Sequence, residues 1–135
     1  MTPIRIERVA RVVADLLIVN ASLAAALLLR FLWLVYIELP RLKVPLSAES
    51  VTLYVDGYWT SCIPLSVIIV LSYGFSGIYT RTMFYRGRYK AIAVVQATLL
   101  AYLLFGFGTY FFFKKLNMPR GALATACLIN IVLAL

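Results

Sequence analysis

Four long apolar runs, at about 12–37, 58–79, 91–113 and 120–135, fill nearly the whole chain and are separated by short basic connections. A bilayer's hydrocarbon core of ~30 Å is crossed by a helix of roughly 20 apolar residues. The first three runs reach that length. The fourth has 16 residues, or ~24 Å at the usual helical rise, and meets no polar flank before Leu135. The pattern predicts an all-α integral membrane fold, a four-helix transmembrane bundle forming a single domain over 1–135. It also predicts that this domain is the N-terminal part of a longer protein.

With 64% hydrophobic and 13% charged residues, the chain lies far from soluble domains, in which about a quarter of residues are charged. Thirteen Lys and Arg against five Asp and Glu give a net charge of +8 with no histidine. In a soluble chain that balance would suggest nucleic acid. Here the basic residues stand at the ends of apolar runs, where they anchor helices, set orientation and attract anionic headgroups. The expected partner is membrane lipid and not nucleic acid. Arg5, Arg8 and Arg11 precede the first run, and Ala24-Ala25-Ala26 imitates a signal cleavage site. A signal's apolar region is only 7–15 residues, and this run continues to Ile37, so it reads as an uncleaved span.

Orientation follows from the basic residues. Arg5, Arg8, Arg11, Arg81, Arg86, Arg88 and Lys90 fall on one side; Arg41, Lys43, Lys114, Lys115 and Arg120 fall on the other. Seven against five places both termini in the cytoplasm by the positive-inside rule, and the bundle in a bacterial inner membrane as a multi-pass protein. The outer connection 38–57 is expected to start where Pro40 and Pro45 break the first helix. Its Val51, Leu53 and Val55 alternate with Thr52, Tyr54 and Asp56 as in a short extended segment. Tyr54, Tyr58 and Trp59 suit the headgroup level. The inner loop Thr80–Lys90 is basic and aromatic together. Its Arg81, Arg86, Arg88 and Lys90 are candidate contacts for a lipid phosphate or pyrophosphate, set against ordinary interfacial anchoring. Pro119 suits the start of the fourth helix.

Polar residues within membrane spans are functional candidates. Asp15 lies one turn inside the first run, four residues after Arg11, the spacing of a helical ion pair. Arg30, two-thirds along the same run, can snorkel to the interface or meet a lipid phosphate. Asn20, Ser22, Gln96, Thr98 and Asn130 suit hydrogen bonds between helices. Ala21/Ala25 and Ser22/Ala26 on the first run, and Gly121/Thr125 on the fourth, form small-residue faces that allow helices, or a second copy, to approach closely. Gly74, Gly77, Gly106 and Gly108 serve the same end, and Pro64 should kink the second run. Cys62 and Cys127 are too far apart in sequence for a metal motif and read as small buried side chains, although a disulfide between them is geometrically conceivable. No carboxylate pair, Ser–Lys dyad or nucleotide-binding glycine turn occurs, so the chain carries no catalytic, cofactor or metal site of its own.

Three stretches carry a family resemblance: Asp15-Leu16-Leu17 with Leu28-Leu29-Arg30-Phe31 late in the same run; Gly74-Phe75-Ser76-Gly77-Ile78-Tyr79-Thr80-Arg81; and Pro119-Arg120-Gly121. On these the chain resembles the four-span N-terminal membrane domain of bacterial polysaccharide-biosynthesis enzymes. The resemblance implies a cytoplasmic C-terminal catalytic domain of one of two kinds. One is an NAD(P)-dependent nucleotide-sugar epimerase or 4,6-dehydratase; the other is a transferase that moves a sugar phosphate onto polyprenyl phosphate. Tyr85-Arg86-Gly87-Arg88-Tyr89-Lys90 departs from the Trp-Arg-Tyr pattern of typical dehydratases and leans towards the epimerase/dehydratase relatives. A self-contained four-span exporter or flippase is the competing expectation from the buried Asp15 and Arg30.

Overall fold

The computed structural model describes residues 3–79, 88–111 and 119–135, with side chains from Ile6 onward. All of its regular structure is helical. Helix α1 (Pro3–Trp33) runs through a π-helical turn (Leu34–Glu38) into the short α2 (Leu39–Leu42). Then follow α3 (Ala48–Phe75), α4 (Arg88–Phe111) and α5 (Arg120–Ala134). Ile6–Leu42, Ala48–Phe75 and Arg88–Phe111 are long and apolar enough to cross a membrane, and α5 is a shorter apolar helix.

Two sequence expectations fail at the first connection. Pro40 does not end the helix at 37. The π turn before it supplies bonds from five residues back, as in Leu39 N–H to Leu34 O. This loosens the stretch where a proline ring would otherwise crowd the preceding turn. The segment around Val51–Val55 is not extended but the second turn of α3. Its apolar alternation was too short to separate the two periods, whereas the cap was there to be read. Ser47 accepts a hydrogen bond from the Ser50 N–H at 3.2 Å, and Glu49 sits in the first turn, where the helix dipole favours a carboxylate. The connection therefore shrinks to 43–47. Helix α3 also continues through Pro64.

Both ends of this helical pair close alike. After α3, Gly77 adopts φ 72°, its N–H bonds Gly74 O at 3.1 Å, and Ile78 N–H bonds Tyr73 O at 3.1 Å. That is the Schellman ending, with glycine at its left-handed position. After α2, Val44 N–H bonds Leu39 O at 3.2 Å in the same way, but the left-handed residue is Lys43, at φ 53°.

The four long helices pack in a ring, α1 on α3, α3 on α4, α4 on α5 and α5 on α1, without contacts across either diagonal among the described residues. Neighbours run antiparallel. Asp15 meets Tyr79, Asn20 meets Ser66 and Phe31 meets Tyr54 between α1 and the α3 segment. Tyr110 lies beside Arg120 between α4 and α5. The core is built from Val19, Leu23 and Ala26 of α1, Leu65 and Ile69 of α3, Ala97, Ala101 and Phe105 of α4, and Ala122 and Ala126 of α5. Of the expected small-residue faces, Ser22/Ala26 turns inward, whereas Ala21 is exposed. On α5 it is Ala122/Ala126 that is buried, with Gly121 exposed. A Cβ on Gly106 would stand 3.2 Å from Leu123, so α4 and α5 approach closely there; Gly74 and Gly108 have open space. The outward faces are apolar throughout, as in Leu17, Ile63, Leu103 and Val132.

Candidate functional site

The bundle's polar side chains converge on its interior and on one end. At that end the Schellman turn swings the chain back under α1, and the Tyr79 hydroxyl donates to Asp15 Oδ2 at 2.8 Å. Burial first, and then this bond to a carboxylate, push the Tyr79 phenol well above the usual tyrosine range. Asp15 is thus held by Tyr79, while Arg11 and Lys90 act on its charge without touching it. The nearest carboxylate partner was not its helical neighbour but a residue 64 positions away.

Further inside, Tyr73 stands next to Tyr79, with ring centroids 6.2 Å apart. Its hydroxyl shares a 2.7 Å hydrogen bond with Thr98, which also donates to Val94 O at 2.8 Å. One turn further along α4 the Tyr102 hydroxyl is directed towards Asn130 of α5. It meets no partner at hydrogen-bonding geometry, and neither does the Asn130 carboxamide nor the Ser61 hydroxyl, although all three are buried. Buried polar groups are nearly always paired, so these mark the least settled part of the interior.

Asn20 makes the one expected bridge towards α3, donating to Leu16 O at 2.8 Å and to Ser66 at 3.1 Å. Ser22 instead bonds its own helix at Ile18 O, and Gln96 lies on the outer surface. Arg30 neither snorkels nor stands free: it pairs with Glu38 at 3.0 Å, both side chains about a third exposed. Cys62 and Cys127 are free thiols. Of the four basic loop candidates, Arg88 and Lys90 are exposed on the first turn of α4; Arg81 and Arg86 lie outside the described residues. No cluster of three metal-ligating side chains occurs among the described residues.

Sequence reasoning missed Tyr73, Tyr79 and Tyr102. Tyrosine reads as an interfacial residue, and only the fold shows that Tyr73 and Tyr102 point inward. The available signal was Gly77 followed two residues later by Tyr79, a turn delivering a hydroxyl back onto the bundle. No family model, no curated protein and no solved structure matches this chain.

Proposed function

We propose that this chain is the membrane-anchoring and assembly domain of a cell-envelope polysaccharide-biosynthesis enzyme acting on nucleotide-activated or polyprenyl-linked sugars. It crosses a bacterial cytoplasmic membrane as a four-span bundle with both termini cytoplasmic. The accompanying catalytic domain is of the NAD(P)-dependent nucleotide-sugar epimerase/dehydratase kind in the favoured form, and a polyprenyl-phosphate sugar-phosphate transferase in the alternative. The observation that carries the reading is the Tyr79–Asp15 bond. It ties together two of the sequence stretches on which the family resemblance rests, at the end of the bundle from which the basic loop departs. Pro119-Arg120-Gly121, the third stretch, opens α5, with Ala122 N–H bonded to Pro119 O at 2.9 Å. In this reading Arg81, Arg86, Arg88 and Lys90 meet the phosphates of anionic or polyprenyl-linked lipid, and the interior hydrogen bonds hold the bundle rigid.

The coding sequence downstream of Leu135 tests this. A strand followed by a Gly-x-Gly-x-x-Gly turn, which seats a dinucleotide pyrophosphate on a helix N-terminus, supports the epimerase/dehydratase form. A basic amphipathic helix followed by an acidic catalytic segment supports the transferase form. A stop codon overturns both and leaves a self-contained four-span exporter or flippase, for which the unpartnered Asn130, Tyr102 and Ser61 would be the lining to examine.

A further inference from the structure

Antiparallel contacts put Arg30, Trp59, Tyr110 and Arg120 at one level of the bundle. Phe31 packs on Tyr54 and Tyr58 on Trp59, while Arg120 lies 6.0 Å from the Tyr110 ring. Aromatic and basic residues sharing a level mark a membrane–water interface. From Trp59 back to Phe75 is ~24 Å along α3, and from Tyr89 to Tyr110 is ~32 Å along α4, which brackets the thickness of a hydrocarbon core.

Beyond that level α1, the π turn and α2 continue to Leu42, and the chain returns through the first turns of α3. The two arms form a helical hairpin, residues 31–57, projecting ~15 Å. From residue 28 to residue 60 no side chain is buried. The hairpin nevertheless carries Tyr36 at 74% and Leu42 at 68% exposure, with Val44, Leu46, Leu53 and Val55 each about half exposed. With Leu32, Trp33, Ile37 and Val51 also open, the uncovered apolar area is on the order of 800 Å², the share each partner gives to a standard interface. An apolar patch of that size outside the hydrocarbon core calls for a partner.

Charge indicates which one. The segment 28–60 has Arg30, Arg41 and Lys43 against Glu38, Glu49 and Asp56. It is neutral within a chain of net charge +8 and holds three of its five acidic residues. A neutral surface has no electrostatic pull towards anionic headgroups, and two copies of it meet without the repulsion that the rest of the molecule would impose. We propose that the hairpin 31–57 is a self-association surface that pairs with the same hairpin of a second copy of this chain. Such a contact is isologous, each copy presenting one patch. The proposal is independent of the enzyme assignment.

The test is the mass of the full chain in detergent micelles and in nanodiscs by sedimentation equilibrium. A dimer is expected, and Leu42→Glu and Leu53→Glu should each weaken dimerisation at least tenfold with the thermal midpoint unchanged. Gln96→Leu, on the outer face of α4, should leave it intact. Should Leu53→Glu lower the midpoint, Leu42→Glu at the exposed tip still decides. A wild-type monomer at every concentration overturns the proposal, as does a dimer indifferent to both hairpin variants. A cysteine at Thr52, in a Cys62→Ser/Cys127→Ser background, that stays shielded from impermeant maleimide in Leu42→Glu monomers would show lipid covering the hairpin and would also overturn it.

Discussion

Replacing Asn130 by leucine should stabilise the bundle. Asn130 is fully buried and neither carboxamide atom has a hydrogen-bond partner. A buried unsatisfied polar group costs ~1–3 kcal/mol, so the two atoms together cost about 2–6 kcal/mol against a fully hydrated reference. The relevant reference is different: separated helices in a micelle also pair their polar groups only partly, and measured interhelical hydrogen bonds average ~0.6 kcal/mol. Discounting for this leaves a gain of about 1–2 kcal/mol for the near-isosteric Asn130→Leu, a factor of roughly 5–30 in the folding equilibrium. Reversible unfolding in mixed micelles on SDS titration, followed by circular dichroism, would measure it. Tyr102→Phe belongs beside it in a double-mutant cycle, since the Tyr102 hydroxyl faces Asn130 without bonding it. Additive gains are expected. A destabilised Asn130→Leu, or coupling above ~1 kcal/mol between the two sites, would refute the reasoning by revealing a bond that the interior depends on.

Tyr79→Phe should cost about 1–2 kcal/mol in the same assay, because it removes a donor from a carboxylate; an unchanged midpoint would make the clasp incidental. Its pH dependence has a defined sign. The folded phenol is raised above its ordinary value near 10, so its contribution is complete below pH 10 and is lost as the pH climbs past it. The wild-type advantage over Tyr79→Phe should therefore be flat from pH 7 to 9 and shrink in more alkaline buffer. At the two Schellman endings, Gly77→Ala should destabilise and Lys43→Gly stabilise, each by about 1 kcal/mol, because a left-handed residue with a Cβ is penalised; equal signs would refute the shared motif. Arg86→Gln with Arg88→Gln should weaken binding to anionic or polyprenyl-phosphate vesicles in flotation assays, and unchanged binding would leave the loop an anchor only.

The sequence was most legible where length and hydrophobicity act alone. The positions of α3, α4 and α5 follow from runs of apolar residues, with Pro119 opening the last. Legibility failed where a local rule met a compensating device. Pro40 reads as a breaker, yet a π turn absorbs it; Val51–Val55 reads as a strand, yet the Ser47 cap had already started a helix. The interior was harder still. Small-residue spacing on α1 and α5 announced close packing but was one residue out of phase on α5, because Gly121/Thr125 and Ala122/Ala126 are equally good patterns until a neighbour chooses between them. The Asp15–Tyr79 bond joins residues 64 apart, and nothing local foretells such a pair.

The π turn at Leu34–Glu38 has a consequence for spacing along α1. Eight residues of uninterrupted α-helix overshoot two full turns by about 80°, so in a straight helix Glu38 would face a quarter-turn away from Arg30. The wider turn spends the surplus residue and returns Glu38 to the same meridian, where the 3.0 Å ion pair forms. Everything beyond it, including the hairpin tip, inherits that angular offset. Deleting a single residue from Leu34–Val35 would restore ordinary winding, part the two charges and swing the tip around the helix axis. The phase of the whole projection is thus stored in one extra residue.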